Sequence, residues 1–294
     1  MVDDLYLLAF DHRRSLRMAL AGAGLDPSLR LAVKHIVADA FARCWSGGTS
    51  SMGVLVDAEI GSPVARRALE NDWTRALALE RSGRRVLELP DPAEIRATLE
   101  RYRPHYGKVL VRYHPDDAPE VRRAQLDGLA TAAALCASRE VSLMVELLVP
   151  PSEADLAACA GSRERFDSER RPTLTVCALQ DIGAAGVRPT VWKLEGFGSE
   201  ARCREIAAAA TEAAPGSRVL TLGRGADLET VRRWVRVGAG VAAYAGFAVG
   251  RTLWLEPIIH HLAGGGDRET AVREISTRFR ALVDAFRRAR ERAR

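Results

Sequence analysis

The sequence predicts an α/β protein of the (β/α)8 (TIM) barrel class, and three observations lead there. Eight short apolar runs alternate with helix-length stretches from one end of the chain to the other. Most of these runs are apolar on both faces, as strands of a parallel sheet covered by helices must be. The 294 residues suit eight such units, which typically take about 250 residues in barrels of this kind. The competing architecture, a doubly wound open sheet, usually carries a glycine-rich phosphate loop after its first strand. Here the first run ends in Asp11-His12-Arg13-Arg14 instead, so the barrel is preferred. We expect a single barrel domain over residues 1–294.

Each element has its own reason. The strands are read over Leu5–Asp11, Met52–Glu59, a weaker Thr74–Glu80, Lys108–Pro115, Leu143–Pro150, Thr190–Gly196, Arg218–Gly223 and Gly240–Val249. Asp26-Pro27 opens the first helix, with proline at its favoured first position. Pro119–Arg139, Glu200–Ala214 and Asp227–Gly238 have helical spacing, and Glu269–Arg294 closes the chain as an arginine-rich amphipathic helix. No Pro-, Gly- or Ser-rich linker, low-complexity tract or repeat divides the sequence.

Composition narrows the function classes. Hydrophobic residues at 47% and charged residues at 28% are those of a globular protein, which excludes disorder. The net charge is 43 − 38 = +5, spread along the chain, and does not point to nucleic acid as a partner. Five cysteines without a CxxC pair indicate neither a disulfide framework nor a cysteine zinc site. MVDDLYLLAF has no basic leader region, and no apolar run reaches the roughly 18 residues of a membrane span. We expect a cytoplasmic protein with no membrane partner.

Of the 43 basic residues only three are lysines: Lys34, Lys108 and Lys193. In so arginine-rich a chain, lysine persists where a compact point charge or a deprotonatable amine is needed. Lys193 sits in Val191-Trp192-Lys193-Leu194-Glu195, a strand too apolar to face water. It is read either as a structural ion pair with Glu195 or Glu146, or as an amine that forms a Schiff base with a ketone. Lys108 opens strand four and can share an inner layer with Lys193, both strands being even-numbered. Alternatively it only caps the strand's lower end.

Active sites of such barrels lie at the C-terminal ends of the strands, and polar residues gather there in this sequence. Glu146 stands alone among Met144, Val145, Leu147 and Leu148; desolvation should raise its pKa toward neutral, suiting it to proton transfer unless it partners an arginine. Asp11 orients a substrate hydroxyl, serves as a second acid/base, or caps the strand end. His12, Arg13, Asp57 and Arg112 are candidate substrate contacts at the ends of strands one, two and four. Phosphate sites form from the loops after strands seven and eight, where Gly223-Arg224-Gly225 and Gly250-Arg251 supply open backbone and an arginine fork. Arg251 could instead pair with Glu256. A metal held by His12 and His114 with Asp57 and Glu59 is the minority reading, because no HxH or HxxxH spacing supports it. His260-His261 is read as structural.

Together these segments resemble a known family. Leu8–Arg13, Gly53–Asp57, Lys108–Pro115, Glu146–Pro151, Val191–Gly196, Gly223–Gly225 and Gly246–Arg251 are similar to the aldolase domain of bifunctional 5-dehydro-2-deoxygluconokinase/5-dehydro-2-deoxyphosphogluconate aldolase. More distantly they resemble class I tagatose-bisphosphate aldolases. The resemblance implies a cofactor-free, metal-independent barrel aldolase cleaving a phosphorylated keto sugar acid to dihydroxyacetone phosphate and malonate semialdehyde. It puts the Schiff-base lysine at Lys193, the acid/base glutamate at Glu146, a second active-site lysine at Lys108, and the phosphate on Gly223–Gly225 and Gly250-Arg251. No sugar-kinase segment precedes the barrel here, and Asp57–Gly61 diverges, so a separate kinase or another phospho- or sulfo-sugar is expected. A non-catalytic sugar-phosphate-binding barrel is the alternative from a different class. A homo-oligomer is expected.

Overall fold

The computed structural model describes residues 4–47 and 51–293. Eight parallel strands close a barrel in sequence order: β1 (Leu5–Ala9), β2 (Met52–Asp57), β3 (Thr74–Ala78), β4 (Tyr106–Arg112), β5 (Ser142–Leu148), β6 (Val191–Glu195), β7 (Arg218–Leu222) and β8 (Tyr244–Val249). The predicted fold class is the observed one. Around it run α1 (Arg14–Gly22), α2 (Arg30–Ala42), α3 (Ser62–Glu70), α4 (Pro92–Tyr102), α5 (Pro119–Ala137), α6 (Glu153–Ala158) and a single turn, α7 (Arg163–Arg165). They continue with α8 (Arg171–Ala184), α9 (Glu200–Ala213), α10 (Leu228–Ala239), α11 (Arg251–Leu262) and α12 (Arg268–Ala293).

Two apolar layers hold this together. Inside the barrel, Leu7, Leu55, Ala76, Met144, Val191 and Leu220 pack as one buried cluster. Outside, the alternate strand residues, among them Val54, Val145, Trp192 and Leu194, meet the apolar faces of the helices. Because side chains alternate, the inward face that carries Val191 also carries Lys193 and Glu195. The same parity puts Lys108 and Glu146 inside, beyond Tyr106 and Met144.

Three expectations need correction. The first helix begins at Arg14, directly after β1, while Asp26-Pro27 opens a one-turn 3-10 segment in which the Asp26 carboxylate accepts from Ser28 N. Gly240 caps α10, and β8 begins only at Tyr244. Lys108 is the third residue of β4, not its first, because Tyr106-Gly107 pair with Ser142-Leu143 of β5 and lengthen the strand. The last residue of the predicted terminal helix, Arg294, lies outside the described residues.

Closure demands a glycine at one point. Gly246 has φ +145°, and a Cβ there would overlap the Leu5 carbonyl of the neighbouring strand. Only glycine lets β8 come that close to β1.

Candidate active site

The C-terminal mouth of the barrel opens into a cavity of about 740 Å³, with Asp11, Glu80, Lys108 and Glu146 in its lining. This is the end of the barrel to which the strand-end rule points. The arrangement below the mouth follows from strand pairing. Register places Glu146 of β5 opposite Lys193 of β6 and Lys108 of β4 opposite Met144 of β5.

Five of these groups, joined by Arg13, form one buried ionic cluster. Lys108 Nζ lies 2.7 Å from Asp11 Oδ2, 3.2 Å from Glu80 Oε1 and 2.8 Å from Glu146 Oε2. Lys193 Nζ lies 2.9 Å from the same Glu146 Oε2. The two lysines that strand parity puts in one layer thus meet at a single oxygen. Arg13 Nη2 adds a contact of 2.8 Å to Glu80 Oε1, so three basic side chains face three carboxylates. Such matching is what burial of charge requires. Lys193 pairs with Glu146, not Glu195, whose carboxylate accepts from Val149 N and faces Arg171 and Arg224.

The electrostatics reverse one expectation. Burial alone would push Glu146 up, but the Lys108 and Lys193 ammoniums hold its carboxyl below the ordinary range. Asp11 behaves alike: burial raises it, and Lys108 and Lys193 pull it well below. Burial works against the Lys108 ammonium too, yet Asp11, Glu146 and Glu80 raise its pKa above the ordinary value. Glu146 is therefore held as a carboxylate by its two ammonium neighbours, not as an acid kept protonated by an apolar pocket.

The remaining predicted residues separate into those at the cavity and those behind it. His12, Arg13, Arg112 and Arg251 line it. His12 packs edge-on against Trp254, and burial lowers its pKa to about 3, with Arg251 adding to the shift and Asp11 opposing it. Arg251 opens α11, and burial lowers its pKa. Among the described residues it has no carboxylate partner, since Glu256 pairs with Arg278 at 2.5 Å. Gly250 is needed here, because a Cβ would strike the Ala9 carbonyl and lie 2.7 Å from His12 Cε1. The Gly223-Arg224-Gly225 turn lies beside it, with Gly225 at φ +78° and the position of its missing Cβ 3.1 Å from Arg251 Nη2. Arg224 itself is drawn aside to Asp167 at 2.9 Å and Glu195 at 3.1 Å. Lys193 is not part of the cavity lining and is reached through Glu146.

Asp57 is fully buried behind the wall, where Lys34 Nζ donates to its Oδ2 at 2.5 Å. His114 shares Asp155 with the α6 cap at 2.8 Å. His12, His114, Asp57 and Glu59 therefore do not converge, and among the described residues no cluster of three such ligands forms. Sequence reasoning missed Glu80, which accepts from Lys108, Arg13 and Leu110 N. Its signal was present: it terminates the third run, as acids terminate the first two.

With this geometry in place, likeness to known proteins adds two facts. The family described as "Uncharacterized protein conserved in bacteria (DUF2090)" matches residues 1–290. The chain belongs to that family. No curated protein matches it. Among solved structures, this DUF2090 chain is similar to fructose-bisphosphate aldolase from Plasmodium falciparum. The TM-score is 0.64 at 11% identity, over 96% of this chain and 91% of that one. It is also similar to Cgl0159 from Corynebacterium glutamicum, with a TM-score of 0.60 at 20% identity, over 93% and 86%. At these identities the likeness is one of fold, the closed eight-stranded (β/α)8 barrel. No helix among the described residues is long and apolar enough to cross a membrane.

Proposed function

We propose that this DUF2090 protein is a class I aldolase working through a Schiff base on Lys193. The observation that carries the reading is the shared oxygen: Lys193 and Lys108 both contact Glu146 Oε2, at 2.9 and 2.8 Å, beneath the cavity. An amine attacks a ketone only when neutral, and a carboxylate in hydrogen-bond contact can take its proton. Lys108 stays charged throughout and keeps Asp11 and Glu146 ionised in the resting site.

In this scheme Glu146 removes a proton from Lys193, whose nitrogen bonds to the substrate's ketone carbon. The ketone oxygen takes up the proton that the nitrogen sheds on bonding, and then leaves as water with a second proton, the one Glu146 took from Lys193, giving an iminium. Loss of the β-hydroxyl proton to Glu146 or Asp11 breaks the adjacent carbon–carbon bond. Its electron pair passes into the iminium as an enamine, and the aldehyde product departs. Protonation of the enamine carbon and hydrolysis release the ketone product and free Lys193. The substrate we favour is a phosphorylated keto sugar acid, 6-phospho-5-dehydro-2-deoxygluconate, yielding dihydroxyacetone phosphate and malonate semialdehyde. Its phosphate would rest on Arg251 and the Gly223–Gly225 turn.

One observation favours a second reading, a barrel that binds sugar phosphates without turnover: Lys193 does not line the cavity. One experiment separates the two. Borohydride added with dihydroxyacetone phosphate should leave covalent mass on Lys193. Lys193→Arg should take up none and lose turnover while folding normally, since guanidinium keeps the charge but forms no carbinolamine. An unlabelled Lys193 with no turnover would leave the binding barrel, and a variant retaining more than a few per cent of the rate would remove Lys193 from the mechanism.

A further inference from the structure

Seven arginines line the cavity, and their partners divide them. Arg13, Arg81, Arg84 and Arg85 each face a carboxylate within 4 Å. Arg14, Arg112 and Arg251 face none among the described residues. Arg251 belongs to the phosphate end described above. The other two come from different parts of the barrel, Arg14 from the start of α1 and Arg112 from the end of β4.

One loop brings them together. The β3–α4 connection closes on itself through Arg81 N to Glu88 O at 2.8 Å. Its consecutive carbonyls are then taken in turn: Gly83 O by Arg14 Nη1 at 2.9 Å and Arg84 O by Arg112 Nη1 at 3.1 Å. Gln125 fixes the next step, donating to Arg85 O at 3.3 Å and to Arg112 O at 2.7 Å. Ser82 Oγ accepts from Arg14 N at 3.2 Å and keeps its own proton to donate.

These two guanidiniums sit on neighbouring carbonyls with no counter-charge among the described residues, whereas Arg81, Arg84 and Arg85 of the loop each have one. Each of the pair spends one nitrogen on the loop and retains the rest of its fork. An oxyanion at this side of the cavity would supply the missing counter-charge and accept charge-assisted hydrogen bonds from both.

We propose that Arg14 and Arg112, with Ser82, form a second oxyanion subsite, so that the substrate is anionic at both ends. The group bound there is a carboxylate or a phosphate on the half of the substrate away from Arg251. The proposed function supplies only the naming of the two ends.

The test is equilibrium binding, which needs no turnover. Sorbitol 6-phosphate offers one anion, 6-phosphogluconate a phosphate and a carboxylate, and fructose 1,6-bisphosphate two phosphates. At least one two-ended ligand should bind about tenfold or more tightly than sorbitol 6-phosphate. The tighter of the two identifies the second anion. Arg14→Ala and Arg112→Ala should each erase most of that advantage. Should Arg14→Ala not fold, Arg14→Lys replaces it and should weaken the advantage by removing the fork. Equal affinity for one- and two-ended ligands in the intact protein overturns the subsite, as does an advantage that survives the substitutions. Borohydride trapping on the same samples keeps the two ideas apart. Labelled Lys193 without a second-anion advantage removes only the subsite, whereas the advantage without labelling removes only the aldolase.

Discussion

Lys34 explains why a chain so rich in arginine keeps a lysine there. Its ammonium donates to Phe10 O at 2.5 Å, to His12 O at 3.2 Å and to Asp57 Oδ2 at 2.5 Å, so two of its three protons go to the carbonyls that flank Asp11. A planar guanidinium cannot converge on three acceptors around one point. Lys34→Met should destabilise the protein by about 3–5 kcal/mol, because Asp57 remains buried and loses its countercharge. Chemical denaturation measures this, and a loss under about 1 kcal/mol would make the pair incidental. Glu146 belongs to the same scale. Glu146→Gln keeps the size and a hydrogen bond but cannot exchange a proton. Turnover should fall by about 10²–10⁴-fold, and borohydride should trap imine on Lys193 more slowly because the lysine loses its proton acceptor, which parallel rate and mass measurements would show. A variant that turned over normally would make Glu146 structural. The candidate lysines and carboxylates were legible as residue types at strand ends, but the sign of the Glu146 shift was not. Its neighbours along the chain, Met144, Val145, Leu147 and Leu148, are apolar, whereas its deciding neighbours, Lys193 and Lys108, lie across two strand pairings.

At the scale of elements, the strands were legible because burial on both faces leaves apolar runs, and their polar ends mark the mouth. Helix starts were less legible. α1 has no side-chain cap and no acid in its first turn, so Arg14 gives no start signal, while Asp26-Pro27 gives a strong one to a single turn. The β3–α4 loop was passed over for a similar reason: a run of arginines reads as solvent-facing until its carbonyls are seen engaged by Arg14 and Arg112. α11 carries the testable case. Its N-terminal Arg251 follows Gly250, whose lack of Cβ lets the turn lie against β1. Arg251→Ala should raise KM for the phosphorylated substrate roughly ten- to a hundredfold more than for its dephosphorylated analogue, the range expected for losing a hydrogen-bonded charge. Stability should change little, since Glu256 is held by Arg278. Equal losses with both substrates would remove Arg251 from the phosphate site.

Across the whole molecule, closure of the barrel gathers residues that no local spacing connects. Asp11 and Lys108 are 97 positions apart yet share a hydrogen bond of 2.7 Å. The fold, once inferred, supplies this convergence, but the pairing of individual charges has to be read from the register. The gathered cluster also sets how stability answers to pH. His12 lies beside it, kept neutral by burial and the nearby Arg251, so its pKa falls from 6.5 to about 3. In the unfolded chain the same imidazole takes a proton near its ordinary value. Between those limits the unfolded state binds more protons, and stability must fall as pH falls, by up to about 1.4 kcal/mol per pH unit for one group. Asp11 and Glu146 act in the same direction, but only as pH drops through their ordinary values of 3.8 and 4.5 toward their lowered folded values. The span from about pH 6.5 to 4.5 therefore belongs to histidine. His12→Gln should flatten that part of the curve relative to the parent protein and leave the steeper loss below it. Urea unfolding at pH 7, 6 and 5 compares the two directly, and parallel curves would mean that His12 is protonated in the folded protein after all.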